Sequence, residues 1–217
     1  MKKLLLFSLL ALTQATFSVI AQQDTNEQNT SDYEKARFAV KIGGSISKIV
    51  KAHGRPKDDA RFPGLNVGIA YQIPLQKKEI SKLFFTPEVL YTSKGEIDKV
   101  GNVEINFYND YISVPLMLKG YFFKNRLFFL ELGPEVGFLV SQKNKDKDAY
   151  LGDINKFDVG INLGGGINFG SNNQFELGAR LNYGLVEVYP DYDYDKKNYN
   201  LGGQVTLTYF FGGKKDK

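Results

Sequence analysis

The chain has no cysteine, no tryptophan and a single histidine in 217 residues. Without cysteine there is no disulfide framework, no thiolate metal site, no cysteine nucleophile and no acylated cysteine to anchor a lipoprotein. One histidine excludes a zinc site built from several imidazoles. A charge excess is missing as well. Of the formal net charge of +4, Lys2 and Lys3 supply two, and the tail Lys214, Lys215, Asp216 and Lys217 supplies the other two. Residues 22–213 are therefore neutral, and a nucleic-acid partner, which needs a basic footprint, is not expected. Long apolar runs are also absent beyond the first 21 residues. The best stretch, Leu127–Val140, is broken by Glu131, Gly133, Pro134 and Glu135, and a spanning helix needs about 20 apolar residues.

What is present begins with an export signal. Lys2 and Lys3 precede the apolar stretch Leu4–Leu12, and Ser18-Val19-Ile20-Ala21 ends on a small residue before Gln22. Residues 1–21 are expected to be a cleaved signal peptide. Residues 22–36 are polar and aperiodic, as a disordered periplasmic lead-in would be.

From Phe38 onward the dominant signal is a period of two. It runs through Phe38-Val40-Ile42, Leu65-Val67-Ile69-Tyr71, Phe85-Pro87-Val89-Tyr91 and Ile112-Val114-Leu116-Leu118. It continues through Phe128-Leu130-Leu132, Phe157-Val159-Ile161-Leu163, Phe175-Leu177-Ala179-Leu181 and Val205-Leu207-Tyr209-Phe211. That makes eight strands. One face is almost wholly aliphatic and aromatic, while the other carries glycines with Lys41, Glu88, Lys119, Glu131, Glu135, Glu176 and Arg180. Eight strands close around an interior too narrow for the large apolar set. The small and mutually compensating polar face is therefore expected inside, and the apolar face outside, which only lipid tolerates. The rival reading, a soluble β-sandwich, would pack the apolar faces against each other.

The connections alternate long and short: Ser47–Pro63, Ile73–Lys82, Thr92–Asp110, Phe122–Arg126, Ser141–Lys156, Gly170–Gln174 and Glu187–Asn198. Long outer loops and short periplasmic turns are the habit of outer-membrane barrels. Aromatics at strand ends, among them Phe38, Tyr71, Phe138, Phe157 and Tyr183, fit interfacial girdles. The expected architecture is all-β: an eight-stranded antiparallel up-and-down transmembrane β-barrel over residues 37–211, with a basic tail at 212–217.

Four stretches carry a family likeness. They are Phe38-Ala-Val-Lys-Ile-Gly-Gly, Phe85-Thr-Pro-Glu-Val-Leu-Tyr91 with Ser93-Lys94-Gly95, Tyr111-Ile-Ser-Val-Pro-Leu-Met-Leu-Lys119 and Glu131-Leu-Gly-Pro-Glu-Val-Gly137. With these, the chain resembles the PorT-like small outer-membrane β-barrels of Bacteroidota over about residues 36 to 211. The resemblance implies an eight-stranded barrel in the outer membrane; a few relatives serve type IX secretion and gliding, and most have no assigned task. The departure lies at the end. Many barrels finish on an aromatic that assembly factors read, whereas here Phe211 is followed by Gly212, Gly213 and the charged tail.

The inward charges allow two readings, a polar path for a small solute or a lumen plugged by ion pairs. In the second, Lys41, Lys119 and Arg180 compensate Glu88, Glu131, Glu135 and Glu176, and the narrowness of eight strands favours it. His53, near Asp58, Asp59, Ser45 and Ser47, suggests a lipid A-modifying enzyme, yet no spacing defines a triad and no enzymatic activity is expected. Asp191-Tyr-Asp-Tyr-Asp195 starts like a calcium loop but has Lys196 and Gly202 where an EF-hand needs Gly and Glu. No metal or cofactor is expected. Lys143, Lys145 and Lys147 could meet lipid phosphates, but Asp146 and Asp148 offset them. Tyr189, Tyr192 and Tyr194 form a candidate contact surface in the last loop. The expected role is that of a structural or interaction protein acting through its outer loops. Its expected partners are outer-membrane lipid, lipopolysaccharide and other envelope or secretion-system proteins.

Overall fold

The computed structural model describes residues 35–51, 60–75, 82–100, 103–123, 126–144, 155–170, 173–188 and 198–211. The expected signal peptide, most of the lead-in and the tail lie outside them. Each period-two segment forms a strand: β1 (Arg37–Lys51), β2 (Ala60–Pro74), β3 (Leu83–Val100), β4 (Val103–Phe122), β5 (Phe128–Asn144), β6 (Phe157–Phe169), β7 (Phe175–Gly184) and β8 (Asn198–Phe210). Every strand pairs antiparallel with the next, and β8 returns to β1, so the sheet closes on itself. Closure satisfies the backbone of every strand without water, the condition for crossing lipid with strands. The described residues include no helix long and apolar enough to cross a membrane.

The alternation sorts side chains as sequence parity dictates. Ile42 and Leu181 are 56% and 62% exposed, whereas their neighbours Lys41 and Arg180 are buried in the lumen. An apolar wall of this extent would not be left bare in water. It turns the choice between sandwich and barrel, because both faces are used as a membrane barrel requires.

Glycines make the interior wide enough for its long side chains. Lys41 stands opposite Gly68, and Gly164 lies between Glu131 and Arg180 in the ladder. A Cβ on Gly164 would come within 3.1 Å of Glu131 Oε1 and 3.2 Å of Arg180 Cβ. Phe129 fills the space that Gly166 and Gly178 leave, at 2.9 and 3.3 Å from where their Cβ atoms would stand.

The three short turns and both ends of the sheet gather at one end of the barrel. Tyr121 N donates to Lys82 O, Asn168 N to Leu127 O, and Phe211 N to Phe38 O. Tightness shows in the backbone, since Phe123, Arg126 and Asn173 all adopt positive φ there, between 52° and 67°. The strand ends that the long connections join lie at the other end.

One expected loop is a strand pair instead. Thr92–Asp110 was expected to connect two strands, but β3 and β4 run on in register from Thr92↔Tyr111 to Val100↔Val103. With 18 and 20 residues, both far exceed the roughly 9–11 that cross a bilayer. The hairpin therefore projects beyond the apolar wall. Gly101-Asn102 is the two-residue turn signal that marks it in the sequence.

Candidate functional site in the lumen

Five strands converge on the centre of the lumen. Arg180 of β7 reaches across to Glu88 of β3, its Nη1 and Nη2 each donating at 2.9 Å to one carboxylate oxygen. Its Nε donates to Glu131 Oε1 of β5 at 2.8 Å. Lys41 of β1 adds a 2.6 Å bond to Glu88 Oε1. Lys119 of β4 donates to Glu176 Oε2 at 2.7 Å and lies 3.4 Å from Glu131 Oε2. All of these side chains are buried, so each charge depends on its partners rather than on water. The planar guanidinium suits this centre, because it can grip one carboxylate with two bonds and a second with its Nε.

Toward the short-turn end the lumen becomes aromatic. Phe84, Tyr121, Phe129 and Phe210 are all buried. Phe84 meets Tyr121 edge-on at 5.3 Å between centroids, and Tyr121 lies 5.9 Å from Phe129. Cations cover the rings: Lys119 Nζ stands 4.5 Å from the Phe129 centroid and Arg37 Cζ 4.5 Å from that of Phe210. A polar thread runs through this layer. Arg37 donates to Gln72, Gln72 to the Tyr121 hydroxyl at 2.7 Å, and that hydroxyl to Glu176. The inward set is therefore not the small polar one expected, since large rings form the floor.

A second ionic cluster sits nearer the long-connection end. Lys94 of β3 donates to Asp158 Oδ2 at 2.9 Å and to Glu135 Oε1 at 3.1 Å. Asn162 donates to the other Glu135 oxygen, and Asn200 to Asp158 Oδ2. Above this cluster lies an open recess with a cavity of about 30 Å³, bordered by Ser47, Asn66, Thr92, Lys94, Asn182 and Gln204.

The seven charged residues singled out from the sequence all line the lumen, in two groups. Glu135 belongs to the outer group and pairs with Lys94, not with Lys41, Lys119 or Arg180 as expected. The reason is distance along the barrel, because Glu135 stands two inward positions of β5 beyond Glu131, with Gly133 between them. Lys94 and Asp158 are not among the charges expected in the lumen, although Asp158 has the inward parity of β6. Lys94 continues the inward parity of Glu88, Leu90 and Thr92, but its outward neighbours Ser93 and Gly95 give no apolar signal. Tyr189, Tyr192 and Tyr194, together with His53, lie outside the described residues. Among the described residues, no group of three or more His, Asp or Glu is placed to hold a metal ion.

A closed antiparallel barrel of eight strands, apolar outside and polar within, is a transmembrane β-barrel. The sequence matches the outer membrane protein beta-barrel domain over residues 10–190, and the chain belongs to that family, which places it in the outer membrane. No curated protein matches the sequence. Similar solved structures include Ail of Yersinia pestis in complex with the heparin analogue sucrose octasulfate, 14% identical, covering 82% of this chain and 100% of that one, with a TM-score of 0.44. Neisserial surface protein A is also 14% identical with the same coverage and a TM-score of 0.45. OprG of Pseudomonas aeruginosa is 9% identical, covering 85% and 100%, with a TM-score of 0.49. At such identities the likeness concerns the fold.

Proposed function

We propose that the protein is a non-enzymatic interaction barrel, exported by residues 1–21, whose lumen is closed and whose external connections are the working surface. Its partners are the lipid and lipopolysaccharide around it and other envelope proteins. The PorT-like resemblance makes a secretion-system accessory the finer reading. One observation carries the closed lumen: the bidentate Arg180–Glu88 bridge crosses the barrel directly above the rings of Phe84, Tyr121, Phe129 and Phe210. A solute would have to break buried ion pairs and then displace close-packed aromatic rings, each step costing several kcal/mol. With the interior occupied, recognition falls to what projects outside, above all the β3–β4 hairpin.

Planar-bilayer recording tests this directly. The purified full chain is expected to give no discrete conductance steps; regular steps would make the protein a narrow pore. Lipid A profiling tests the other rival. Deletion of the gene is expected to leave the acyl pattern unchanged, and a change reproduced by His53→Ala would make it an enzyme.

A further inference from the structure

Among the described residues, the outer recess borders one of two lumen amides that are left wholly unpaired; the other, Asn168, lies toward the short turns and away from the recess. Asn66 of β2 is completely buried at its border, and neither its amide nitrogen nor its carbonyl oxygen has a hydrogen-bond partner. A buried amide that is unpaired on both sides calls for a ligand or water. We propose that the recess is a binding site for the edge of a neutral, hydroxyl-rich small solute such as a sugar ring, with Asn66 as its central contact.

The chemistry of the border selects that class. A carboxamide offers a donor and an acceptor side by side, the pattern that two adjacent hydroxyls complement. Thr92, Asn182 and Gln204 add further amides and a hydroxyl around the same space. An ionic ligand fits less well. Glu135 already accepts from Lys94 and Asn162, so its charge is met. Lys94 in turn is held between two carboxylates, which leaves it little attraction for an anion. The cavity of about 30 Å³ has room for about two water-sized groups, so two hydroxyls enter and the remainder of the solute stays at the open mouth. Entry is from the external side alone, because the Arg180 bridge and the aromatic floor lie beneath. In that respect the inference rests on the closed lumen proposed above.

The test is saturation-transfer NMR on the full chain refolded in lauryldimethylamine oxide, whose headgroup is not a sugar, with methyl α-glucoside as the probe. Saturation is expected to reach the ring protons of the probe. In Asn66→Leu the affinity should fall by about tenfold, as loss of hydrogen bonds to one amide implies. Thr92→Val, which keeps the shape of the border, should weaken it less. Each variant is checked for a folded barrel by its mobility on an unboiled gel. If Asn66→Leu does not fold, the graded loss in Thr92→Val and Gln204→Leu serves instead. Absence of transfer in the wild type would overturn the proposal and leave water as the occupant. Undiminished transfer in the folded variants, or displacement of the probe by inorganic phosphate or calcium chloride, would overturn it too. Conductance in the bilayer experiment would break the closed-lumen reading while leaving glucoside transfer at Asn66 to be measured on its own.

Discussion

Arg180 and Glu88, 92 positions apart in the chain, face each other across the lumen with two parallel bonds of 2.9 Å. Both residues are buried, and each has a second partner, Glu131 for the arginine and Lys41 for the glutamate. The pair is thus the centre of a network in which no member can be removed without stranding another charge.

Replacing Arg180 by Met should cost about 3–5 kcal/mol, the usual penalty for leaving a buried partner uncompensated. Urea unfolding in lipid vesicles measures it. Adding Glu88→Gln to the same chain should return part of the loss, because the stranded carboxylate is then neutral. Strictly additive effects would mean that the two side chains do not share the bridge.

The floor of the lumen should be sensitive to volume. Phe129→Ala empties the space above Gly166 and Gly178 and should destabilise the barrel by about 3–5 kcal/mol. Gly166→Ala should also destabilise, by overpacking, since its Cβ would stand 2.9 Å from the Phe129 ring and would clash with Leu177 O. Both are read from the same unfolding curves.

On the outer wall the sign of tolerance reverses. Leu163, in the middle of β6 and 57% exposed, should accept isoleucine or phenylalanine. Arginine there should cost about 2–4 kcal/mol near the bilayer midplane. An arginine tolerated without loss would place Leu163 in water.

Heat should change the protein's mobility on a detergent gel. Unboiled, the closed barrel is expected to resist the detergent and migrate apart from the boiled chain. A single position for both would count against closure of β8 on β1.

Most of the architecture was legible because lipid imposes a strict rule on alternate residues. Val40, Ile42 and Ile69 have no freedom to be polar, and Lys41 none to face outward. The signal fades where that rule lapses. Where β3 runs past the apolar wall, Ser93 and Gly95 beside Lys94 carry no apolar side chain, so parity gives neither a strand signal nor a sign of the outer ion cluster there. At the short-turn end the reason differs. Phe84 and Phe85, Phe128 and Phe129, and Phe210 and Phe211 are adjacent aromatic pairs, one ring packed in the floor and one turned toward lipid. Parity puts Phe85, Phe128 and Phe211 on the outer face, but the inward rings of Phe84, Phe129 and Phe210 depart from the small, polar set that eight strands lead one to expect inside. The unpaired amide of Asn66 left no trace in the sequence at all, because satisfaction of a polar group depends on neighbours from other strands.

The seam between β1 and β8 joins the beginning of the sheet to its end, Val40 beside Tyr209 and Lys51 beside Asn198. The last contacts to form are therefore between the residues farthest apart in synthesis, and such non-local pairing is slow. Until the final strand arrives, β1 presents a bare hydrogen-bonding edge that can recruit any neighbouring strand. A nascent chain must be kept from self-association until that strand is made, and a chain cut anywhere before Asn198 cannot close its sheet. Assembly is all or nothing, with the decision made by the last thirteen residues of the sheet.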